Sequence, residues 1–412
     1  MIDFELSKDM AGMRDMIHQV AEQTMRPISH QFDEEEHTDP TDWQQMMWDV
    51  SKGSSVFGGG PSDKKELAAK TSKPAERNVG ATVTIEELSW GDAGLYLSIP
   101  NAGLGGAAVS AAGTAEQKQR FLARFSEGEP KWAAMAITEP GFGSDSAAVA
   151  TTAVRDGDQW VLNGTKIYCT SGQRALDKSD GFVVVWATVD KSAGRAGIKA
   201  FVVEHGTPGV SVTKVEDKLG IRCSDTAVIV LEDARIPFDN LLGDPEVHTG
   251  SKKGFKGVMA TFDATRPAVA ASAIGIGRAA VDFVRDELAK AGVDIRYDRP
   301  VMKQTAIERD FMEMESSLQA ARLLTWRAAW MMDRGMRNNL EASMCKSKAG
   351  LAVTQVTQKA VEILGPLGYS RKLLVEKWMR DAKINDIFEG TQQINLLIVA
   401  RRILDYSSKQ LN

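Results

Sequence analysis

Cysteine is scarce: Cys169, Cys223 and Cys345 are the three in 412 residues, an odd number, widely spaced and without a CxxC pair. That excludes a disulfide framework and predicts reduced thiols in a reducing compartment. Histidine is scarce too, and the five (His18, His30, His37, His205, His248) never fall at ligand spacing on one turn. HExxH is also absent, so a metal site is not expected. No run approaches the roughly 20 consecutive apolar residues of a membrane span. The opening MIDFELSKDM carries acids and no apolar stretch, which predicts no secretory signal and a cytoplasmic location. A basic excess is also missing. Fifty Lys and Arg face 55 Asp and Glu, a formal net charge of −5, which argues against a nucleic-acid binder.

Two further motifs are absent, GxSxG and GxxxxGK[ST], so hydrolase-elbow and P-loop chemistries fall away. Gly275-Ile276-Gly277-Arg278-Ala279-Ala280 spells a dinucleotide fingerprint, yet it sits in an Ala-rich helical stretch with no strand before it. A Rossmann turn needs strand, turn, then helix, so close helix packing is the better reading of those small residues.

What remains is an ordinary globular mixture, 43% apolar and 25% charged. Its length suits roughly two to three domains and a core that needs no staples. The texture changes twice. Residues 1–130 read as a helical domain. Within it, Asp39-Pro40-Thr41 supplies a helix start and Thr114-x-x-Gln117 a capping box ahead of Phe121, Leu122 and Phe125. The first half of 51–78, rich in Gly, Ser and Lys, reads as an exposed loop. Residues 131–248 read as short strands in an antiparallel barrel or sandwich, with Asn163-Gly164 as a hairpin turn. Residues 249–412 return to long helices. The stretch Met302–Met336 repeats Ile307, Phe311, Met314, Leu318, Leu323, Trp326 and Trp330 at three- and four-residue steps, and 339–364 and 373–404 look similar. A four-helix bundle buries such stripes, and the fold class is α+β.

Two segments are hard to explain as fold alone. In Thr138-Glu139-Pro140-Gly141-Phe142-Gly143-Ser144-Asp145, two glycines let backbone N–H groups approach a ligand, and Thr138 and Ser144 add hydroxyls. A tight turn would look the same. In Ile387-Phe388-Glu389-Gly390-Thr391, glycine breaks a helical pattern beside a carboxylate. Such a carboxylate, partly desolvated, suits a general base; a helix N-cap is the plainer alternative.

These segments resemble the acyl-CoA dehydrogenase family, its short- and medium-chain branches most of all. TEPGFGSD, NGTKIYCTSG, DKLGIRCSDTAVIVLEDARIPFDNLLG, FDATRPAVAASAIG and EKWMRDAKINDIFEGTQQI stand in the family's order, from about residue 80 to the end. The resemblance implies FAD as cofactor, an acyl-CoA thioester as substrate and a trans-2-enoyl-CoA as product. It places Glu389 as the base that removes the α-proton while a hydride leaves the β-carbon for flavin N5. Some relatives carry the base just before the Arg of FDxxR; here that residue is Thr265, which cannot serve. Ile137, Thr138, Gly143 and Ser144 match the loop against flavin and pantetheine. Tyr168 and Thr170 match the second flavin-contacting strand, where Trp is usual at the first position. Phe262, Asp263 and Arg266 match the helix gripping CoA, although a structural ion pair would leave the same Arg. Gly390 adjoins the acyl group, and Thr391 and Gln393 match residues at the flavin.

The resemblance further implies a homotetramer built as a dimer of dimers, with electrons passed to an electron-transferring flavoprotein in fatty-acid β-oxidation. Departures cluster at the cofactor's far end. Arg296-Tyr297-Asp298-Arg299-Pro300 replaces the usual Arg-x-x-Phe-Gly, making Arg296 the first counterpart and Arg299 the second. Beside Gly365, Pro366 replaces a second glycine, and Glu362 stands where Gln is common. An acyl-CoA oxidase of the same fold and a non-catalytic member are the competing readings.

Overall fold

The computed structural model describes residues 5–52, 76–248, 253–406 and 410. Most of the expected 51–78 loop lies outside the described residues. Helices α1 (Lys8–Val20), α2 (Arg26–Glu34), α3 (Thr41–Ser51), α4 (Arg77–Gly91), α5 (Ala93–Ser98), α6 (Gly103–Ala112) and α7 (Ala115–Leu122) form the amino-terminal layer. A π-helical turn, Ala21–Met25, joins α1 to α2. The capping box forms: Thr114 Oγ1 accepts from Gln117 N at 3.2 Å and Gln117 Oε1 accepts from Thr114 N at 3.0 Å. Pro40 sits one position earlier than a first helical residue, at the cap of α3. Asp39 is drawn instead to Arg174 at 2.6 Å and Lys178 at 2.5 Å.

Among the described residues seven strands follow: β1 (Ala133–Ala136), β2 (Thr152–Asp156), β3 (Gln159–Thr170), β4 (Phe182–Thr188), β5 (Ile198–Glu204), β6 (Val210–Val215) and β7 (Thr226–Pro237). A short helix, α8 (Gly172–Leu176), follows β3. The sheet order is β1-β4-β2-β3-β7-β6, with β5 also on β4. It is antiparallel except that β4 runs parallel to β1 and, at Thr152–Thr188, to β2. The long excursion between β1 and β4 permits a parallel pair, which no tight turn can make. Successive residues of β4 enter two different cores. Val183, Val185 and Ala187 face the strands' own cluster, while Phe182, Val184 and Trp186 face one shared with Val109, Phe121 and Phe125. A strand buried on both sides reads as a continuous apolar run, as this one does.

The expected hairpin turn falls elsewhere. β2 and β3 reverse at Gly157-Asp158, with Asp156 paired to Gln159. Gly-Asp is also a recognised two-residue hairpin loop, so the sequence offered two candidate reversals. Asn163-Gly164 lies inside β3 at a register shift. Asn163 exchanges hydrogen bonds with Asp233, at 3.0 and 2.8 Å. A Cβ on Gly164 would lie 2.5 Å from Thr151 Oγ1, which explains the glycine.

The carboxy-terminal helices are α9 (Lys253–Lys290), α10 (Ala306–Asp333), α11 (Asn339–Leu364), α12 (Pro366–Tyr369), α13 (Val375–Ala382) and α14 (Gln392–Ile403). Helices α9, α10 and α11 pack on one another, α14 packs on α11, and α4 of the amino-terminal layer packs on α9 and α10. Gly275 and Gly277 serve close packing as expected: a Cβ would lie 2.2 Å from Glu86 O and 2.7 Å from Leu318 Cδ2. On α10 the stripe holds at Phe311, Met314 and Leu318, then passes to Ala321, Thr325 and Ala328, leaving Trp326 and Trp330 half-buried. Among the described residues one segment, Thr261–Lys290, is long and apolar enough to cross a membrane by composition, and it is largely buried inside the protein. The expected 373–404 helix is interrupted by a 3₁₀ turn, Lys383–Asp386, and by residues 387–391. That interruption holds Glu389 and Gly390.

Candidate active site

Glu389 lies between α13 and α14 with φ 56°, followed by Gly390 at φ 87°. Two consecutive left-handed residues turn the chain sharply, and the non-glycine one costs about 1–2 kcal/mol. Its neighbours hold the turn. Lys346 Nζ donates to Gly390 O at 2.6 Å, and Asn395 Nδ2 donates to the same oxygen at 2.8 Å. Thr391 caps α14, accepting from Ile394 N at 3.3 Å. Thr265 Oγ1, excluded above as a base, donates to Glu389 Oε2 at 2.8 Å. Burial pushes the Glu389 carboxyl above the usual Glu range, against the pull of Thr265, Arg266 and Lys346. Burial brings Lys346 down to about 8. Arg266 lies buried beneath this turn, paired with Asp263 at 3.1 Å and with Ser343 Oγ at 3.3 Å. Burial raises the Asp263 carboxyl in turn.

The second segment is built on a buried ion pair. Lys166, wholly enclosed in β3, donates to Glu139 Oε1 at 2.6 Å and to Ile137 O at 3.3 Å. Glu139 also accepts from Ala150 N at 2.7 Å and Thr151 N at 2.9 Å. Burial lowers Lys166 to about 8, while Lys166 and Thr151 hold Glu139 below the usual Glu range against its own burial. The loop is pinned from within, leaving Gly143 and Ser144 exposed and Thr138 half-buried. Beside it, Tyr168 adopts φ 58° and is 62% exposed as a residue. Such strain at an exposed aromatic has no packing purpose within this chain and suits a face that receives a planar ring. Thr170, at the end of the same strand, is half-buried. These hydroxyls and this ring fit a flavin. Ile137 and Phe262 pack on one cluster with Met135 and Val149, which ties the loop to the helix that carries Thr265.

Two joints missed in the sequence set the turn that carries Glu389. A Cβ on Gly220 would lie 2.4 Å from the carbonyl carbon of Arg380, and Ile221 N donates to Asp381 Oδ1 at 2.6 Å. Below them Lys377 bridges Asp92 at 2.7 Å and Asp381 at 2.6 Å, all three buried. The only local sign of this triad was an acid four residues after a lysine; Asp92 is remote in sequence. At the far end, Arg296 makes a bidentate pair with Glu308, at 2.6 and 2.9 Å, on the cap of α10. Arg299 is exposed and, among the described residues, forms no ion pair. Gly365 ends α11 at φ 54°, Glu362 pairs with Lys359 at 2.8 Å, and Gln393 is exposed.

Three family models match in order: Acyl-CoA dehydrogenase, N-terminal domain, over 75–129; middle domain, over 134–234; and C-terminal domain, over 252–404. The chain is 42% identical to the mitochondrial short-chain specific acyl-CoA dehydrogenase of Bos taurus over 325 residues, 78% of this chain and 75% of that protein. Butyryl-CoA dehydrogenase from Megasphaera elsdenii superimposes with a TM-score of 0.83 at 30% identity, covering 98% of this chain and 100% of that one. A chain solved in work on the electron-transferring flavoprotein of Acidaminococcus fermentans gives 0.81 at 33% identity, covering 98% and 100%.

Proposed function

The chain belongs to the acyl-CoA dehydrogenase family of FAD-dependent oxidoreductases, and from that premise we propose that it desaturates an acyl-CoA thioester between its α and β carbons. The observation that carries this reading is the Glu389 carboxylate, raised by burial, tethered by Thr265 and displayed on a left-handed turn. Glu389 takes the α-proton onto a carboxylate oxygen. Its raised pKa makes it a stronger base than an exposed Glu. The Glu389 backbone N–H donates to the thioester oxygen as negative charge develops there, the task of an oxyanion hole. Bound FAD supplies the two-electron acceptor for the hydride that leaves the β-carbon. Thr138, Ser144, Tyr168 and Thr170 hold its ring system, and Arg299, unlike Arg296, has a guanidinium available for a phosphate. Phe262, Asp263 and Arg266 shape the CoA side beside Gly390. Electrons then pass to an electron-transferring flavoprotein. Leu396, Leu397, Ile403 and Leu404 on and just past α14 are at least half exposed, which supports a subunit contact there and a homotetramer.

The direct test is anaerobic addition of an acyl-CoA series to the flavin-loaded protein. Short acyl groups, beginning with butyryl-CoA, should bleach the flavin band; a band that no acyl-CoA changes would overturn the reading. The pH dependence has a defined sign. A base works only when deprotonated, so turnover rises as pH passes upward through the Glu389 pKa and then levels. Lys346→Gln removes a positive charge that lowers that pKa, so its ascending limb should move to higher pH. An unmoved limb would detach Lys346 from the base.

A further inference from the structure

Arg26 occupies an unusual position at the first residue of α2, directly after the π-helical turn. Its guanidinium lies between two indoles, 4.1 Å from the Trp90 ring centre and 4.5 Å from that of Trp378. With both faces covered, only its edge is left to hydrogen-bond, and its buried Nε has no partner. Nearby carboxylates are already committed. Asp92 holds Lys377 and Ser29, while Asp282 accepts from Trp90 Nε1 at 3.0 Å and pairs with Arg285 at 3.1 Å. Arg26 lines a groove of about 560 Å³ with His30, Glu34, Arg371 and Lys372. The groove joins α2 to the turn before α13. His30 Nε2 donates to Arg371 O at 2.5 Å, locking the two sides together. Glu34 is the single acid among these residues, 3.6 Å from both His30 Nδ1 and Arg371 Nη2. Two positive charges are therefore in excess, on a chain whose net charge is −5.

We propose that this groove binds a phosphoryl group, with the edge of Arg26 at its floor and Arg371 and Lys372 at its rim. A planar guanidinium fixed on both faces is preorganised for two parallel hydrogen bonds to an oxyanion, and a flexible lysine adds a point charge. None of these residues belongs to the site around Glu389, so the groove is a second ligand site whose occupancy bears on the joint between the amino-terminal helices and α13. Trp378 couples the two, because it both covers Arg26 and sits one residue after the buried Lys377.

The test is calorimetric titration of the FAD-loaded protein with inorganic phosphate and with ADP, against chloride at matched ionic strength. Binding by inorganic phosphate assigns the site to free phosphate; binding by ADP alone assigns it to a nucleotide. In the exposed double variant Arg371→Gln/Lys372→Gln, affinity should fall roughly tenfold or more, the scale of one lost charge-assisted contact. Flavin content and acyl-CoA bleaching should stay as in the parent. No binding of either probe, or equal binding by the variant, would overturn the proposal. Loss of flavin from the variant would overturn it too, because the groove would then belong to the cofactor site.

Discussion

Glu389→Gln should keep its FAD and its affinity for acyl-CoA, yet leave the flavin oxidised when substrate is added. The amide oxygen can still accept from Thr265 Oγ1, so the tether at 2.8 Å survives and the left-handed turn has no reason to relax. What disappears is the basic electron pair. A positioned base contributes up to about 10⁴-fold, and a reduction slowed on that order is expected. Stopped-flow loss of the flavin band measures it, with an equilibrium titration of a non-reducing acyl-CoA analogue as the binding control. Parent-like reduction would mean that another group takes the α-proton. Failure to bind the analogue would mean that the turn had collapsed, a different result from loss of chemistry.

The second large effect is on stability. Lys377→Met should cost about 3–5 kcal/mol, because it leaves the buried carboxylates of Asp92 and Asp381 facing each other without their cation. The sign of the pH dependence identifies the mechanism. Burial and the charge of Asp92 already raise Asp381, and Lys377, with a smaller pull from the Ile221 N–H, opposes them. In the variant the Asp381 pKa climbs further. A group raised in the folded state stabilises fully below its unfolded pKa and loses that contribution as pH rises through the folded one. The deficit should therefore shrink on acidification and grow toward neutrality. Denaturant midpoints across that range measure this, and adding Asp381→Asn should recover much of the loss. A deficit independent of pH and not rescued would point to a packing defect.

Some of this was legible in residue order and some was not, for identifiable reasons. The changes from helix to strand to helix are local signals, since period and β-branching act over a few residues. So is the break at Gly390, because glycine stands out against the apolar pattern around it. The Thr114 box, too, is complete within four residues. Partners remote in sequence leave no such trace. Lys166 looks like any strand lysine until Glu139 is brought against it, and Arg296 looks as available as Arg299 until α10 delivers Glu308. Asn163-Gly164 failed for another cause: the dipeptide does need unusual backbone, but for a close approach by Thr151 and not for a reversal.

Asp92 and Lys377 are 285 residues apart. At synthesis rates of about 5–20 residues per second, the acid emerges roughly a quarter of a minute to a minute before its cation exists. For that interval the amino-terminal helices must carry Asp92 with only local partners, Ser29 and the amide of Leu95. The bond that settles them arrives only with the segment that also carries Glu389. A nascent chain cut short before Lys377 would therefore lack both the Glu389 turn and the charge that fastens the amino-terminal helices, so such copies should be left open to proteolysis instead of persisting as look-alikes.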